Sequence, residues 1–447
     1  MVAHRWRRVP LVLAVAALLA LTASASARAD AVTDWNIHAT NALVVTGLQT
    51  PPVWTVNLAL VHGAVYDAVN SIDGGYQPYL VKVRARRWYS TDAAAATAAY
   101  RVLSSMLPAQ QATLTSHYAA SLAAIPPGRA RDGGVLVGEI AAAAMLAARA
   151  GDGRSPNSGY RFPAPATSTE PWPAGQWRPT PPAFGNDPFA WIKDVRPFLL
   201  EDTEHFGAPP PYPLTSRKYA REFNEVKLLG SLNSSARTPD QTDMAKFWAD
   251  GPILWTRIAR DLAADRRLDT AENARLYAML YLTGADSIIV CWQGKAKYLF
   301  WRPITAIRDA DRDSNPRTVA DPAWLPLINN PPYPDHPSGL SCVGSALANS
   351  LRDFFGTDRV EYSATSTNSM TARSFSSFSQ GIQEIVDARV YSGIHFRRAD
   401  VQGARIGARI ARYRERHYFH PAHRSHRGHD SDSDHGYDSK HGWERKN

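Results

Sequence analysis

Lys295-Ala-Lys-Tyr-Leu-Phe-Trp-Arg302-Pro303, then Pro337-Ser338-Gly339, then Arg389-Val-Tyr-Ser-Gly-Ile-His395 are the stretches on which the reading of this 447-residue chain turns. Together they hold three fixed cations, a hydroxyl, a Ser-Gly pair that can open a helix, and one histidine. That inventory suits a tetrahedral oxyanion. Arginine presents a planar fork that matches two oxyanion oxygens, and lysine adds a compact charge. A Ser-Gly pair heading an apolar helix aims free backbone N–H groups at the same anion. His395 is the group able to bond the central atom. Singly, each stretch has an ordinary explanation. A Lys and an Arg seven apart read as a solvated helix face, and a histidine among arginines reads as structural. Their joint order and spacing carry the oxyanion reading.

Lysine, six residues, Arg-Pro; later Pro-Ser-Gly; later Arg, five residues, His: this pattern resembles the signature of the vanadium-dependent haloperoxidases and of the type 2 phosphatidic acid phosphatases that share their fold. Upstream, Asp34-Trp35-Asn36, the run Val61-His62-Gly63-Ala64-Val65-Tyr66-Asp67-Ala68 and Arg237-Thr238-Pro239-Asp240-Gln241-Thr242 look like the longer bacterial haloperoxidase-type members, so the resemblance takes in residues 32–415. The chain departs from the pattern in three places. Leu340 stands where the family's second motif continues with its acid–base histidine. Ala388 replaces the serine before Arg389. Ala399 stands where an aspartate is usual, with Asp400 one residue further on.

The resemblance implies that Lys295, Arg302, Arg389, Ser338 and Gly339 hold the oxygens of vanadate (orthovanadate), or of phosphate in the same site. It makes His395 the vanadium ligand in a peroxidase or the nucleophile on phosphorus in a phosphatase. Hydrogen peroxide and halide are the implied substrates of the first activity, a phosphate ester that of the second. A non-catalytic phosphate- or vanadate-binding member is a third reading, and loose metal binding by the His-rich tail a fourth. Both catalytic readings need a proton donor or acceptor where Leu340 stands; His336, four residues earlier, is the candidate substitute. His395 also needs a partner to fix its tautomer. Asp400, Asp387 and a backbone carbonyl are the candidates.

Residues 1–29 read as a secretory signal peptide: Arg5, Arg7 and Arg8, an apolar run Leu11–Leu21 too short to span comfortably, then small-residue cleavage sites around Ala27 and Ala29. The protein is therefore expected to be secreted, without an integral membrane span after signal cleavage. Losing that segment takes the formal charge from +9 to +5. That excess suits acidic small molecules or anionic surfaces and gives no argument for nucleic acid. Nothing in the sequence reports the oligomeric state. The only cysteines, Cys291 and Cys342, lie close to the first and second motifs. Convergence of those motifs brings the thiols together, and an oxidising compartment favours a disulfide. Two buried unpaired thiols are the alternative.

Most of the remainder reads as helix: Val53–Val69, Ala93–Met106, Gln110–Ala124, Gly134–Ala150, Ser216–Leu229, Asp240–Ala264, Asp269–Gln293, Leu340–Phe355, Ser374–Ala388 and Asp400–Arg416. No segment alternates like a strand. Residues 151–215, dense in Pro and Trp, cannot be long helix. They read as an ordered excursion over the helices that shapes the pocket mouth, against the alternative of an exposed linker. The expectation is an all-α, helical-bundle haloperoxidase-like fold, with helices enough for two bundles. It covers residues 30–416, with the oxyanion-site motifs in 290–400. A disordered tail over 417–447 follows, holding seven of the fourteen histidines.

Overall fold

Each run with apolar residues at helical spacing folds as a helix. The computed structural model describes residues 30–154, 172–369 and 371–422. The leader-like segment, part of the Pro-rich region (155–171) and the His-rich stretch 423–447 lie outside the described residues. The N-terminal group comprises α1 (Ala31–Thr40), α2 (Pro51–Asp73), α3 (Thr91–Met106), α4 (Gln111–Ala123) and α5 (Arg129–Ala148). The C-terminal group comprises α6 (Arg217–Leu229), α7 (Pro239–Phe247), α8 (Ile253–Asp265), α9 (Thr270–Tyr298), α10 (Pro303–Arg308), α11 (Gly339–Phe355), α12 (Phe378–Tyr391) and α13 (Arg397–His417). The whole is mostly helical, as the sequence implies.

The long helix α9 is the shared axis, packed by α2 on one side and by α11 and α13 on the other. Its start is fixed by a capping box, in which Asp269 and Glu272 each accept from the other's backbone N–H. By length and composition α9 would also suit a membrane span, but 94% of its apolar window is buried inside the fold, as in a core helix. α13 lies close on α11 because Gly403 and Gly407 face it. A Cβ on Gly407 would sit 2.4 Å from the Cys342 carbonyl oxygen, and one on Gly403 would sit 2.6 Å from that of Ser338.

Several elements differ from the sequence expectation. The stretch read as one helix over Asp240–Ala264 is broken into α7 and α8, because Gly251 takes a left-handed φ of 76° ahead of Pro252. A short antiparallel hairpin, β1 (Tyr362–Thr365) with β2 (Ala372–Phe375), precedes α12 where no strand was read. The Pro- and Trp-rich excursion is ordered where described, and not an exposed linker. The buried Asp286 carboxylate on α9 accepts the N–H groups of Phe198, Leu199 and Leu200 at 2.6, 2.8 and 2.9 Å. Trp292 Nε1 donates to Asp187 at 3.1 Å. Each contact satisfies a buried polar group that would otherwise be left unpaired.

Residues 417–422, read from the sequence as part of the tail, belong to the body. His417 ends α13, and residues 418–422 pack against the body. Phe419 is buried against the Tyr66 ring, Tyr418 Oη donates to Leu199 O at 2.8 Å, and Gln77 N donates to His420 O at 2.9 Å.

Two outcomes follow for stability. A chain ending at Ala422 is expected to melt like the whole chain. One ending at His417 loses the buried Phe419 and should be less stable by about 3 kcal/mol in denaturant unfolding, the usual scale for a buried aromatic. Gly407→Ala forces a methyl against a backbone carbonyl and should lower stability by about 1–3 kcal/mol, measured in the same way.

Candidate active site

The three motifs meet where α9 ends and α11 begins. Lys295 lies in the last turn of α9, which stops at Leu299 in a left-handed conformation with φ 45°. Arg302 therefore does not ride the same helix two turns on. It sits on extended backbone as the N-cap of α10, and the chain reversal brings it back toward Lys295. Lys295 Nζ donates to the carbonyl oxygens of Pro334, Asp335 and Pro337 at 2.7, 3.3 and 2.6 Å. An ammonium has three protons, so this cage saturates it. The rings of Trp292 and Tyr333 lie 5.4 and 5.1 Å away. Burial pushes the Lys295 pKa down to about 8. Lys295 thus holds the turn leading into Ser338 and does not line the cavity.

Arg302 is fully buried. Its Nε donates to Tyr333 O and its Nη1 to Ile394 O, both at 2.7 Å. Nη1 also lies 3.1 Å from His395 Nε2. Nη2 has no partner among the described residues, and neither has Nε of Arg389 in the last turn of α12. Buried guanidinium protons without acceptors are uncommon enough to need an explanation.

His395 is 1% exposed, and its Nδ1 lies 2.8 Å from Asp335 Oδ1. That carboxylate, which the sequence reading did not select, fixes the ring. Asp335 is distant in sequence but sits just ahead of Pro337-Ser338-Gly339. Its position just ahead of that motif is the signal the sequence offers. Of the candidates that were selected, Asp387 pairs with Arg397 at 2.6 Å. Asp400 accepts from Ser341 Oγ at 3.1 Å, and Ser341 Oγ lies 3.3 Å from Ser338 Oγ. Burial, reinforced by Arg302, Arg389 and Lys295, holds His395 well below the ordinary histidine range, so its imidazole is neutral. Burial raises Asp335 well above the carboxylate range and Asp400 to about 7. Oδ2 of each carboxyl has no partner among the described residues.

Ser338 caps α11, its N–H bonded to Ala399 O at 3.0 Å. The bond from Cys342 N to Ser338 O, 3.0 Å, opens the helical ladder, so the N–H groups of Gly339, Leu340 and Ser341 are those a helix start leaves without intrahelical acceptors. Gly339, Leu340, Arg389 and His395 line a cavity of about 200 Å³ whose walls include Trp292, Tyr333, Val343 and Ile394. Pro51, Pro52, Gly251, Pro252, Asn329 and Pro331 also belong to its lining, and no described residue of the Pro-rich excursion does. Leu340 thus faces the site. His336 does not: its Nε2 bonds Pro209 O at 2.9 Å, and burial lowers its pKa to about 3. It lies on the far side of the turn that Lys295 holds and cannot stand in for a histidine at 340. The cysteines are neighbours, as the convergence of motifs requires, but both are free and buried. The Cys291 thiol is occupied with Pro337 O at 3.5 Å.

Unpaired donors on Arg302 and Arg389, helix-start N–H groups and a neutral imidazole match the bare oxygens and central atom of an oxyanion. The residues present therefore fit a tetrahedral oxyanion.

Comparison with known proteins agrees with this chemistry. Residues 275–422 match the family described as the VCPO second helical-bundle domain. A vanadium chloroperoxidase of Curvularia inaequalis is 29% identical over 187 residues, 34% of this chain. That match spans only 30% of the relative's length. Among solved structures, a bacterial vanadium-dependent iodoperoxidase superposes with a TM-score of 0.74 at 23% identity, over 87% of this chain and 96% of that one. A holo-type bacterial vanadium-dependent chloroperoxidase superposes at 0.64 and 15% identity, over 82% of this chain and 94% of that one. Residues 275–422 thus match the VCPO second helical-bundle domain, and over most of its length the chain shares the fold of the vanadium-dependent haloperoxidase structures.

Proposed function

We propose that this protein is a secreted vanadate-dependent peroxidase that oxidises halide with hydrogen peroxide, with turnover limited by Leu340. The observation that carries the reading is the pair of buried, unpartnered guanidinium nitrogens on Arg302 and Arg389 beside neutral His395. Bound vanadate would supply the Lewis acid that activates peroxide toward halide. Arg302, Arg389, Ser338 and the N–H of Gly339 would hold its oxygens, and His395 Nε2 its central atom. Arg302 Nη1 approaches that nitrogen now and would turn to the anion. Asp335 keeps the Nδ1 side of the ring engaged, so Nε2 presents its lone pair. Lys295 acts through the turn it holds. Export rests on the signal-like first 29 residues.

The same donors suit phosphate, with His395 as nucleophile on phosphorus. Similarity to haloperoxidases on both sequence and fold favours the peroxidase reading over this one. Purified protein loaded with orthovanadate, assayed for bromide- and iodide-dependent halogenation beside phosphate-ester hydrolysis, separates them. Halogenation that needs vanadate supports the proposal. Ester hydrolysis inhibited by vanadate, without halogenation, overturns it.

Leu340 removes a proton-transfer group from the cavity wall, and such a group is worth about 10²–10⁴ in rate. Leu340→His should therefore raise halogenation by ~10²-fold with little change in vanadate affinity. His336→Ala should leave activity unchanged, because that ring faces Pro209.

Asp400 supplies a pH signature. Its carboxyl titrates near 7 beside Arg389. A bound anion disfavours its ionised form and raises that pKa further, so binding takes up a proton. Oxyanion affinity should be highest below pH 7 and fall as pH rises above it, by up to ~10-fold per unit. Titration of Asp400→Asn by isothermal calorimetry should show a flatter profile than wild type.

A further inference from the structure

Far from this site, the segment between α2 and α3 forms a rigid basic platform. Asp67 on α2 accepts the N–H groups of Tyr79, Leu80 and Val81 at 2.7, 2.8 and 2.9 Å, and Val83 N donates to Ser71 Oγ at 2.9 Å. Val83 is buried, so its neighbours Lys82 and Arg84 point outward. Arg86 and Arg87 continue the run. The end of the segment is fastened to α5: Ser90 N donates to Ala130 O at 2.9 Å, and the Tyr89 ring lies where a Cβ on Gly133 would be, 2.3 Å away. That contact brings Arg129 and Arg131 beside the platform. Among the described residues, none of these six cations has a carboxylate partner except Arg131, 3.8 Å from Asp132.

Amid these charges stands Trp88, 56% exposed, its ring edge-on to Tyr89 at 4.6 Å. On α5, Leu136 and Ile140 are 57% and 42% exposed. They fall four residues apart, one helical turn, on the flank of the helix adjoining Gly133 and so next to Tyr89. α5 packs on α3 and α2 through its opposite side and leaves this stripe unpartnered among the described residues.

We infer that the 82–88 platform and the adjoining flank of α5 dock on an anionic lipid bilayer. The cations complement acidic headgroups, Trp88 has the amphipathic ring favoured at the membrane–water boundary, and Leu136 and Ile140 offer aliphatic surface for insertion below it. Nucleic acid or an acidic polysaccharide would use the cations but leave the two aliphatic side chains in water, so lipid fits the whole patch. This inference stands apart from the oxyanion site and needs none of its residues.

The test uses the chain from Asp30 to Asn447, which keeps every described residue and removes the apolar run that could insert by itself. Co-sedimentation is measured with vesicles of phosphatidylcholine plus phosphatidylglycerol and with phosphatidylcholine alone. Binding is expected only to the anionic vesicles and should be released by salt. Arg84→Ala with Arg87→Ala should weaken it by ~25-fold, at about 5-fold per cation. Trp88→Ala should weaken it severalfold with circular dichroism unchanged. Arg405→Ala with Arg412→Ala, on the exposed face of α13, should leave it unaltered. Equal binding to neutral vesicles, no vesicle binding, retention on heparin in place of vesicles, or equal loss from the α13 pair would each overturn the inference.

Discussion

The cage of three carbonyl oxygens around the Lys295 ammonium is the constraint on which the site depends. A buried lysine without acceptors would lose its charge or force the fold open. Here its three protons fold the 334–337 turn over the end of α9. That turn delivers Asp335 to His395 on one side and Ser338 to the start of α11 on the other. One cation at a helix end thereby places the partner of the histidine and the direction of the helix start. The lysine that reads as an anion contact in the sequence holds, in this structure, the turn that carries Asp335 and Ser338.

Buried carboxylates serve the same purpose elsewhere. Asp286 gathers three successive N–H groups of the Pro-rich excursion, and Asp67 gathers three of the basic platform. In each case a helix residue of the core ties down a segment that has no regular hydrogen bonding of its own. Burial raises both carboxyls to about 6, and the three backbone donors act against that rise. Loops with so many prolines cannot make a ladder, so their N–H groups need such acceptors. Arg237 does the converse, donating to Leu229 O and Ser231 O and so closing the end of α6.

Much of this was legible from residue order. Helices with strong periodicity, such as Ala93–Met106, were read within a few residues because an apolar face and a buried stripe are the same fact. The motif residues were legible because anion chemistry restricts the side chains that can be used. What the sequence hid was direction. Lys295 and Arg302 are two turns apart on paper, yet Leu299 breaks the helix between them. His336 and Leu340 are one turn apart on paper, yet His336 precedes the helix and faces Pro209. The Asp335–His395 pair, sixty residues apart, follows only from the turn held by Lys295. The Gly251-Pro252 break was written in the sequence, and the periodicity on both sides masked it.

These placements narrow where a proton can come from. A catalytic acid or base works best with a pKa near the working pH. Leu340 has none, and His336 is buried away from the cavity with its pKa near 3. His395 is held neutral by burial and three cations, and its nitrogens face Asp335 and Arg302. Asp400 remains. Its pKa of about 7 leaves it shared between its two forms near neutrality. It accepts from Ser341, which reaches Ser338 in turn, and one of its oxygens has no partner among the described residues. The displacement of the family's aspartate by one position, from 399 to 400, thus puts a titrating carboxyl behind the serine at the head of α11, in a chain that lacks the histidine beside it.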